Sequence, residues 1–392
     1  MSSGDGDIVY ECRRKHRSAF LLRDLGEGGA ERSALRLVNG LARDGQDVVL
    51  LLFRKKGPLL SAIAPEVEIV DLKGSFLKLL TQLYFLHVDF LLPVYTSMRA
   101  LLARLILRVL RVSFHVVLSQ RNMFTMDRGP VQTRLRFLRC RLLYPSASAC
   151  VCISQGVAEE MRGLALIEPE KIRVIYNPVL TDELSVQMEA PLDHPWFGGG
   201  DDVPSVVLGV GRLGDQKDFA TLIRAFGLLA SRHPELRLLI LGEGRQRAML
   251  EKLVREENLA SRVSLPGYVP NPYPYMKRAA LFVMTSRFEG FGNVVAEALA
   301  CGCSIVSTDC KSGPADILDN GKYGYLAKTG DVFDVARLME EALKHPLPVE
   351  ELKKRAAFFS ERRAVKEYER LFDELKGVSE NIAVDFDSIA ID

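Results

Sequence analysis

Short apolar blocks recur along the chain, each closed by a glycine or polar turn and followed by a stretch whose apolar positions repeat with helical spacing. Arg17 to Leu25 reads as a strand ending in Gly26-Glu27-Gly28-Gly29. From Glu31 to Ala42, the residues Leu35, Val38, Leu41 and Ala42 fall on one side of a helix, and Asp44-Gly45 stops it. Asp47 to Phe53 and Val67 to Leu72 are near-continuous apolar strands, and Val88–Leu92, His115–Leu118, Cys150–Ser154 and Ile172–Tyr176 continue the series. Strands that are apolar throughout belong to sheets covered on both faces, so this rhythm predicts a parallel sheet between helices. Residues 177–205 interrupt it with prolines and with Gly198 to Gly200, as a linker does. A second series follows, with strands at Val206–Gly211, Leu236–Gly242, Val263–Leu265, Leu281–Thr285, Ser304–Thr308 and Gly324–Ala327. A last helix, from about Ala364 to Leu375, lies beyond the final strand. The expected organisation is two consecutive α/β domains, 1–180 and 205–376, with a linker at 181–204 and a flexible tail at 377–392.

Composition narrows the classes. A chain of 392 residues is long for one core, and 48% hydrophobic content suffices for two. The 52 basic and 50 acidic side chains nearly balance, which argues against a nucleic-acid binder. The first residues, MSSGDGDIVYECRRKHRS, have no apolar stretch of the kind a secretory signal needs. No uncharged apolar run reaches the ~20 residues of a membrane-spanning helix. Seven cysteines is an odd count, and the C-x-C pairs Cys150–Cys152 and Cys301–Cys303 have no histidine nearby. Reduced core thiols in a cytoplasmic protein fit them better than a disulfide framework or a zinc site.

In open α/β sheets ligands bind at the carboxyl ends of the strands, so the loops there are where chemistry is sought. Gly209-Val210-Gly211-Arg212-Leu213-Gly214 follows a strand and matches the G-x-G-x-x-G spacing of dinucleotide sites. The loop then runs on through Asp215-Gln216-Lys217-Asp218 before any helix, and Arg212 and Lys217 flank it. A dinucleotide site relies on bare backbone N–H groups, whereas a departing diphosphate gathers charge that two cations stabilise. The same two residues also read as ordinary solvated loop charges. The segment Phe288-Glu289-Gly290-Phe291-Gly292-Asn293-Val294-Val295-Ala296-Glu297 follows an apolar strand and opens a helix from about Asn293 to Ala300. Gly290 and Gly292 would let backbone approach a ligand, the N–H groups of residues 291 to 294 form a small anion site, and Glu289 and Glu297 share the mouth of the sheet.

Taken together, these segments resemble glycosyltransferase family 4, the retaining transferases of the GT-B fold. FEGFGNVVAEALACG is similar to that family's two-glutamate motif and GRLGDQKDF to its phosphate-binding loop. LGEG with Arg245, LPGYVPN, SGPADILDNGKYGYLAKTGD and the N-terminal GEGGAERS resemble further family segments, in the family's order. The resemblance implies two Rossmann-like domains facing across a cleft. It implies that Arg212 and Lys217 hold the donor diphosphate beside Gly211, with Gly28 and Gly29 closing from the other domain. Glu297 would bind the ribose, and Glu289 the transferred sugar, beside Gly290, Phe291, Gly292 and Asn293. Val269 would lie near the base, with uracil favoured. Anomeric retention without a metal or other cofactor is implied as well, with the leaving phosphate taking the acceptor proton.

Where some relatives carry a histidine this chain has Ser119-Gln120-Arg121-Asn122, a variant similar to a branch that makes bacterial polysaccharides and lipid-linked oligosaccharides. Arg121 then either faces acceptor or donor phosphate or makes a surface salt bridge; both readings stand. Residues 99–141 hold ten arginines against one acidic residue, Asp127. In residues 98–112, Arg104, Arg108 and Arg111 share one helical face and Met98, Leu102, Leu105 and Val109 another, as in a helix lying on an anionic membrane. The apolar run Phe76–Leu86 could assist. An ordinary core-covering helix with solvated arginines shows the same pattern. The expected protein is thus a hexosyltransferase or N-acetylhexosaminyltransferase at the inner membrane face, acting on a lipid-linked or saccharide acceptor. A sugar-nucleotide epimerase and a non-catalytic nucleotide-sugar-binding protein are the alternatives. His115, Trp196 and Asn177-Pro178 read as packing or hinge residues.

Overall fold

The computed structural model describes residues 16–26, 28–95, 97–124, 130–198 and 204–377. Cys12 and the tail from Val378 lie outside them. The first sheet contains β1 (Arg17–Leu22), β2 (Asp47–Leu52), β3 (Glu68–Asp71), β4 (Phe90–Pro93), β5 (His115–Gln120), β6 (Ala149–Cys152) and β7 (Ile172–Val174). Its order is β3-β2-β1-β4-β5-β6-β7 and every pairing is parallel. The second contains β8 (Ser205–Val210), β9 (Leu236–Leu241), β10 (Val263–Gly267), β11 (Leu281–Met284), β12 (Ile305–Thr308) and β13 (Tyr325–Ala327), in the order β10-β9-β8-β11-β12-β13, also parallel.

Alternation along each strand divides its side chains between two apolar layers. In β1, Ala19 and Leu21 enter one core and Phe20 and Leu22 the other. In β9, Leu239 and Leu241 enter one and Leu238 and Ile240 the other. Both faces of both sheets are therefore covered, which is why the strands read as continuous apolar runs. The first sheet is covered in part by α1 (Gly29–Arg43), α2 (Phe76–Leu86), α3 (Ser97–Val109) and α4 (Pro130–Leu143). No helix among the described residues is long and apolar enough to cross a membrane.

Two features differ from the sequence-based division. The linker 181–204 holds a helical turn, Asp182–Gln187, capped by the Thr181 hydroxyl, and its Leu184, Met188 and Trp196 pack into the second domain's core. The C-terminal helix Glu361–Lys376, assigned by sequence to 205–376, returns to the first domain. Its Val365, Tyr368, Leu371 and Phe372 join the core of the first sheet, and Phe372 stacks on Phe90 with ring centroids 4.2 Å apart. His16 Nε2 meets Asp373 Oδ1 at 2.8 Å, and Gln46 donates to Glu369 at 2.8 Å. The chain therefore passes between the domains twice. The crossings are zipped together: the amides of Val179 and Leu180 donate to the Phe359 carbonyl, and the Glu361 amide donates to that of Leu180.

Candidate active site

In each sheet the strand order reverses beside its first strand, between β1 and β4 and between β8 and β11. Such a switch point leaves a crevice beyond the strand ends, and here the two crevices face each other. Between them lies a cavity of about 900 Å³ lined from both domains. Arg212 and Lys217 reach it from the loop after β8, and Glu289 from the loop after β11. The two loops are tied together. The Arg287 amide donates to the Gln216 carbonyl at 2.8 Å, Gln216 Nε2 to the Phe288 carbonyl at 3.0 Å, and Thr285 Oγ1 to the Asp218 carbonyl at 2.9 Å.

Glu289 is buried. Its Oε1 accepts from Lys217 Nζ at 2.7 Å and from Ser286 Oγ at 2.7 Å, so one cation and one carboxylate of the cavity are paired with each other. Cys310, near this pair, is no candidate nucleophile, because burial and then the Glu289 charge push its thiol up to about 12. The helix Asn293–Ala300 begins at Gly292, whose φ of 98° lies in the region that favours glycine, and carries the buried Glu297. Glu297 accepts from Tyr273 Oη at 3.4 Å and stands 3.7 Å from Arg36 Nη2, a residue of α1 in the opposite domain. Arg36 also donates to Tyr273 Oη at 3.0 Å and to the Val179 carbonyl at 3.1 Å. Burial works against the charged guanidinium, yet Glu297 and Tyr273 outweigh it and shift the group upward. Burial, reinforced by Glu297, raises the Tyr273 hydroxyl.

The N-terminus of α1 lines the facing wall through Gly28, Gly29 and Ala30. Asn293 Nδ2 donates to the Gly29 carbonyl at 3.1 Å and to Ser33 Oγ at 2.9 Å, while its Oδ1 accepts from Asn177 at 2.9 Å. Arg32 reaches across to Tyr268 Oη at 2.9 Å. These bonds hold the domains against one another at the cavity itself.

The residues to which the sequence reading assigned donor, acceptor or catalytic roles line this cavity: Gly28, Gly29, Arg121, Gly211, Arg212, Lys217, Val269, Glu289, Gly290, Phe291, Gly292, Asn293 and Glu297. The structure adds detail at three of them. A side chain on Gly290 would start 2.1 Å from the Arg121 carbonyl, so this glycine admits the other domain at the edge of the cavity. Phe291 was expected to offer its backbone, and its ring is buried against Tyr176 and Phe359. Of its two readings, the surface salt bridge is not seen for Arg121 among the described residues; it is buried and donates to Ser119 Oγ at 3.0 Å and to the Ala30 carbonyl at 3.2 Å. Arg36, Tyr273 and Ser286 were not singled out by sequence. Arg36 follows Arg32 by one helical turn, the spacing that sets both on one face of α1. Asn177, read as a hinge residue, belongs to the interdomain network instead. Among the described residues no group of three or more His, Cys, Asp or Glu side chains is placed to hold a metal ion.

Comparison with known proteins agrees with the geometry. The family described as Glycosyltransferase Family 4 matches residues 27–183, and that described as Glycosyl transferases group 1 matches residues 196–360. The chain belongs to glycosyltransferase family 4. Among family relatives, a Campylobacter jejuni N-acetylgalactosamine-N,N'-diacetylbacillosaminyl-diphospho-undecaprenol 4-alpha-N-acetylgalactosaminyltransferase is 36% identical over 54% of this chain and 54% of its own length. The lipopolysaccharide core biosynthesis glycosyltransferase LpsE of Rhizobium meliloti is 33% identical over 54% of this chain and 57% of its own. The chain thus spans about half the length of these curated relatives. The crystal structure of Anabaena Alr3699/HepE in complex with UDP and glucose superposes with a TM-score of 0.70 at 18% identity, covering 93% of this family 4 chain and 100% of that one, a likeness of fold. The two facing parallel sheets are the GT-B architecture.

Proposed function

We propose that the protein is a retaining glycosyltransferase moving a hexose or N-acetylhexosamine from a UDP-linked donor to a lipid-linked or glycan acceptor in cell-surface polysaccharide or glycoconjugate synthesis. The observation that carries this reading is the convergence of Arg212, Lys217, Glu289 and Glu297 on one interdomain cavity, opposite the N-terminus of α1. Arg212 and Lys217 take up the charge that grows on the leaving diphosphate, and the free N–H groups of the α1 terminus add to it. Glu297 accepts from the ribose hydroxyls and Glu289 from hydroxyls of the transferred sugar. The Lys217–Glu289 pair is then a resting contact, in which each holds the other in place until the donor's phosphate and hydroxyl groups replace it. The acceptor oxygen forms its bond to the anomeric carbon on the face from which the diphosphate departs. The anomeric C–O bond breaks with its electron pair on the phosphate, and that phosphate takes the acceptor's proton. This route requires no metal.

The test is a panel of UDP-sugars incubated with membrane extract, reading UDP release and the anomeric configuration of the product. Acceptor-dependent release with retention, insensitive to chelator, is expected. Glu289→Gln and Arg212→Ala should each lower turnover by about 10²-fold or more, the scale of a lost transition-state contact. Isomerised donor without acceptor would identify an epimerase, and donor binding without turnover a binding protein.

The same reading places the protein on the cytoplasmic face of the membrane. On α3, Leu102 is 45%, Leu105 39% and Val109 81% exposed, an apolar stripe facing outward next to Arg108. The neighbouring α2 exposes Leu77 and Phe85, and α4 exposes Leu138 and Leu142. Two residues of the expected pattern turn inward. Met98 packs on the core, and Arg104 donates to Ser148 Oγ at 2.9 Å.

A further inference from the structure

A second cavity of about 980 Å³ opens beside the first in the N-terminal domain, between the ends of β1, β4 and β5 and the helices α3 and α4. The two share Glu31, Tyr95, Arg121, Asn122, Arg212 and Gln216 as a common wall, so they adjoin. Six arginines line the second cavity, Arg23, Arg99, Arg121, Arg136, Arg139 and Arg212, against two acids, Asp24 and Glu31. Asp24 is already engaged, with Arg54 at 2.5 Å and Arg23 at 3.4 Å. Arg136 is held by the Phe124 carbonyl and ring, and Arg121 by the bonds described above. Arg99 and Arg139 are different. Both are exposed, and Arg99 stacks its guanidinium face 4.4 Å from the centroid of Phe53, a contact that leaves the N–H edge of the fork free of the ring.

A pocket built to bind a neutral sugar presents carboxylates and amides to its hydroxyls. Charges of one sign gathered in a concave wall repel one another and raise the local concentration of the opposite ion. Guanidinium forks match phosphate oxygens in pairs. We propose that this second cavity is the acceptor subsite and that the acceptor carries a phosphate or diphosphate, held by Arg99 of α3 and Arg139 of α4, with its accepting hydroxyl directed to the common wall. The proposal rests on the transferase reading and names its substrate class: a sugar joined to phosphate, supplied either as a lipid-linked diphosphate or as a phosphorylated glycan.

The test is calorimetric titration of the full-length protein saturated with UDP, which occupies the donor's diphosphate site. Three probes are compared: farnesyl-diphosphate-linked N-acetylglucosamine, N-acetylglucosamine 1-diphosphate without lipid, and uncharged octyl N-acetylglucosaminide. The charged probes are expected to bind at least about 10-fold more tightly than the uncharged one, the scale of one hydrogen bond to a charged group. Added salt should weaken them. Arg99→Gln and Arg139→Gln should each cost about 10-fold in that affinity and leave UDP binding unchanged. Tighter binding of the lipid-linked probe supports the proposal with a lipid-linked source, and equal binding of the two charged probes supports it with phosphate alone. Equal binding of charged and uncharged probes, or full affinity in both variants, overturns it. Failure to bind UDP in the same titrations counts against the transferase reading, while the arginine dependence of the charged probes is still read separately.

Discussion

Arg36 and Glu297 come from opposite domains, 261 positions apart in the chain, and meet at 3.7 Å in a buried setting. Neither local pattern nor motif spacing foretells that meeting, because it depends on how two sheets distant in the chain face each other. Glu289, Arg212 and Lys217 were legible for the opposite reason: each sits in a loop just after a strand whose own residues announce it. Gly290 was legible as a place of close approach but not for its neighbour, since the Arg121 carbonyl that fills the space lies in the other domain. Under the proposed function Arg36 acts as a positioning residue, aiming the Glu297 carboxylate at the ribose. Arg36→Gln should therefore raise the donor KM by about 10-fold with a smaller change in kcat, and Arg36→Lys should recover part of the loss. Steady-state kinetics with the donor varied at fixed acceptor would show it; equal losses in kcat and kcat/KM would point to a role in the reaction step instead.

Element boundaries were legible wherever a local signal marks them. The helix Asn293–Ala300 was read from sequence between Gly292 and Gly302, and it occupies those residues. All the strands anticipated in both domains are present, because parallel strands covered on two faces must be apolar along their whole length. The amphipathic pattern of the C-terminal helix was equally legible, but its partner was not. An apolar stripe says that a helix is buried and leaves open which surface buries it. Phe372, fully buried against Phe90 and Tyr368, fastens this helix to the first sheet. Phe372→Ala should cost about 3–5 kcal/mol, as large aromatic truncations in a core do. Denaturant unfolding would measure it, and a loss below about 1 kcal/mol would mean that the helix is only loosely seated.

The whole molecule presents one charged and greasy flank. The exposed leucines of α3 and α4 and the phenylalanine of α2 lie on neighbouring helices of the first domain, and α3 and α4 also wall the second cavity. A lipid-linked acceptor held there would keep its tail beside the bilayer while its sugar reaches the donor. Flotation with liposomes tests the arrangement. Binding to anionic vesicles should exceed binding to neutral ones and fall with salt, and Leu105→Glu together with Val109→Glu should abolish it. Equal flotation on both vesicle types would leave no place for the arginines in docking.

The paired crossings at Val179–Leu180 and Phe359–Glu361 restrict what the molecule can do as a machine. A single tether lets two bodies twist, slide and tumble about it, whereas two tethers stitched side by side act like the spine of a book. Opening and shutting about that spine remains, and the pages cannot shear. Under the proposed function, the four residues assigned to the donor would then separate from the α1 terminus and return along one arc, and a single pair of fluorescent labels, one on each cover, would follow that motion.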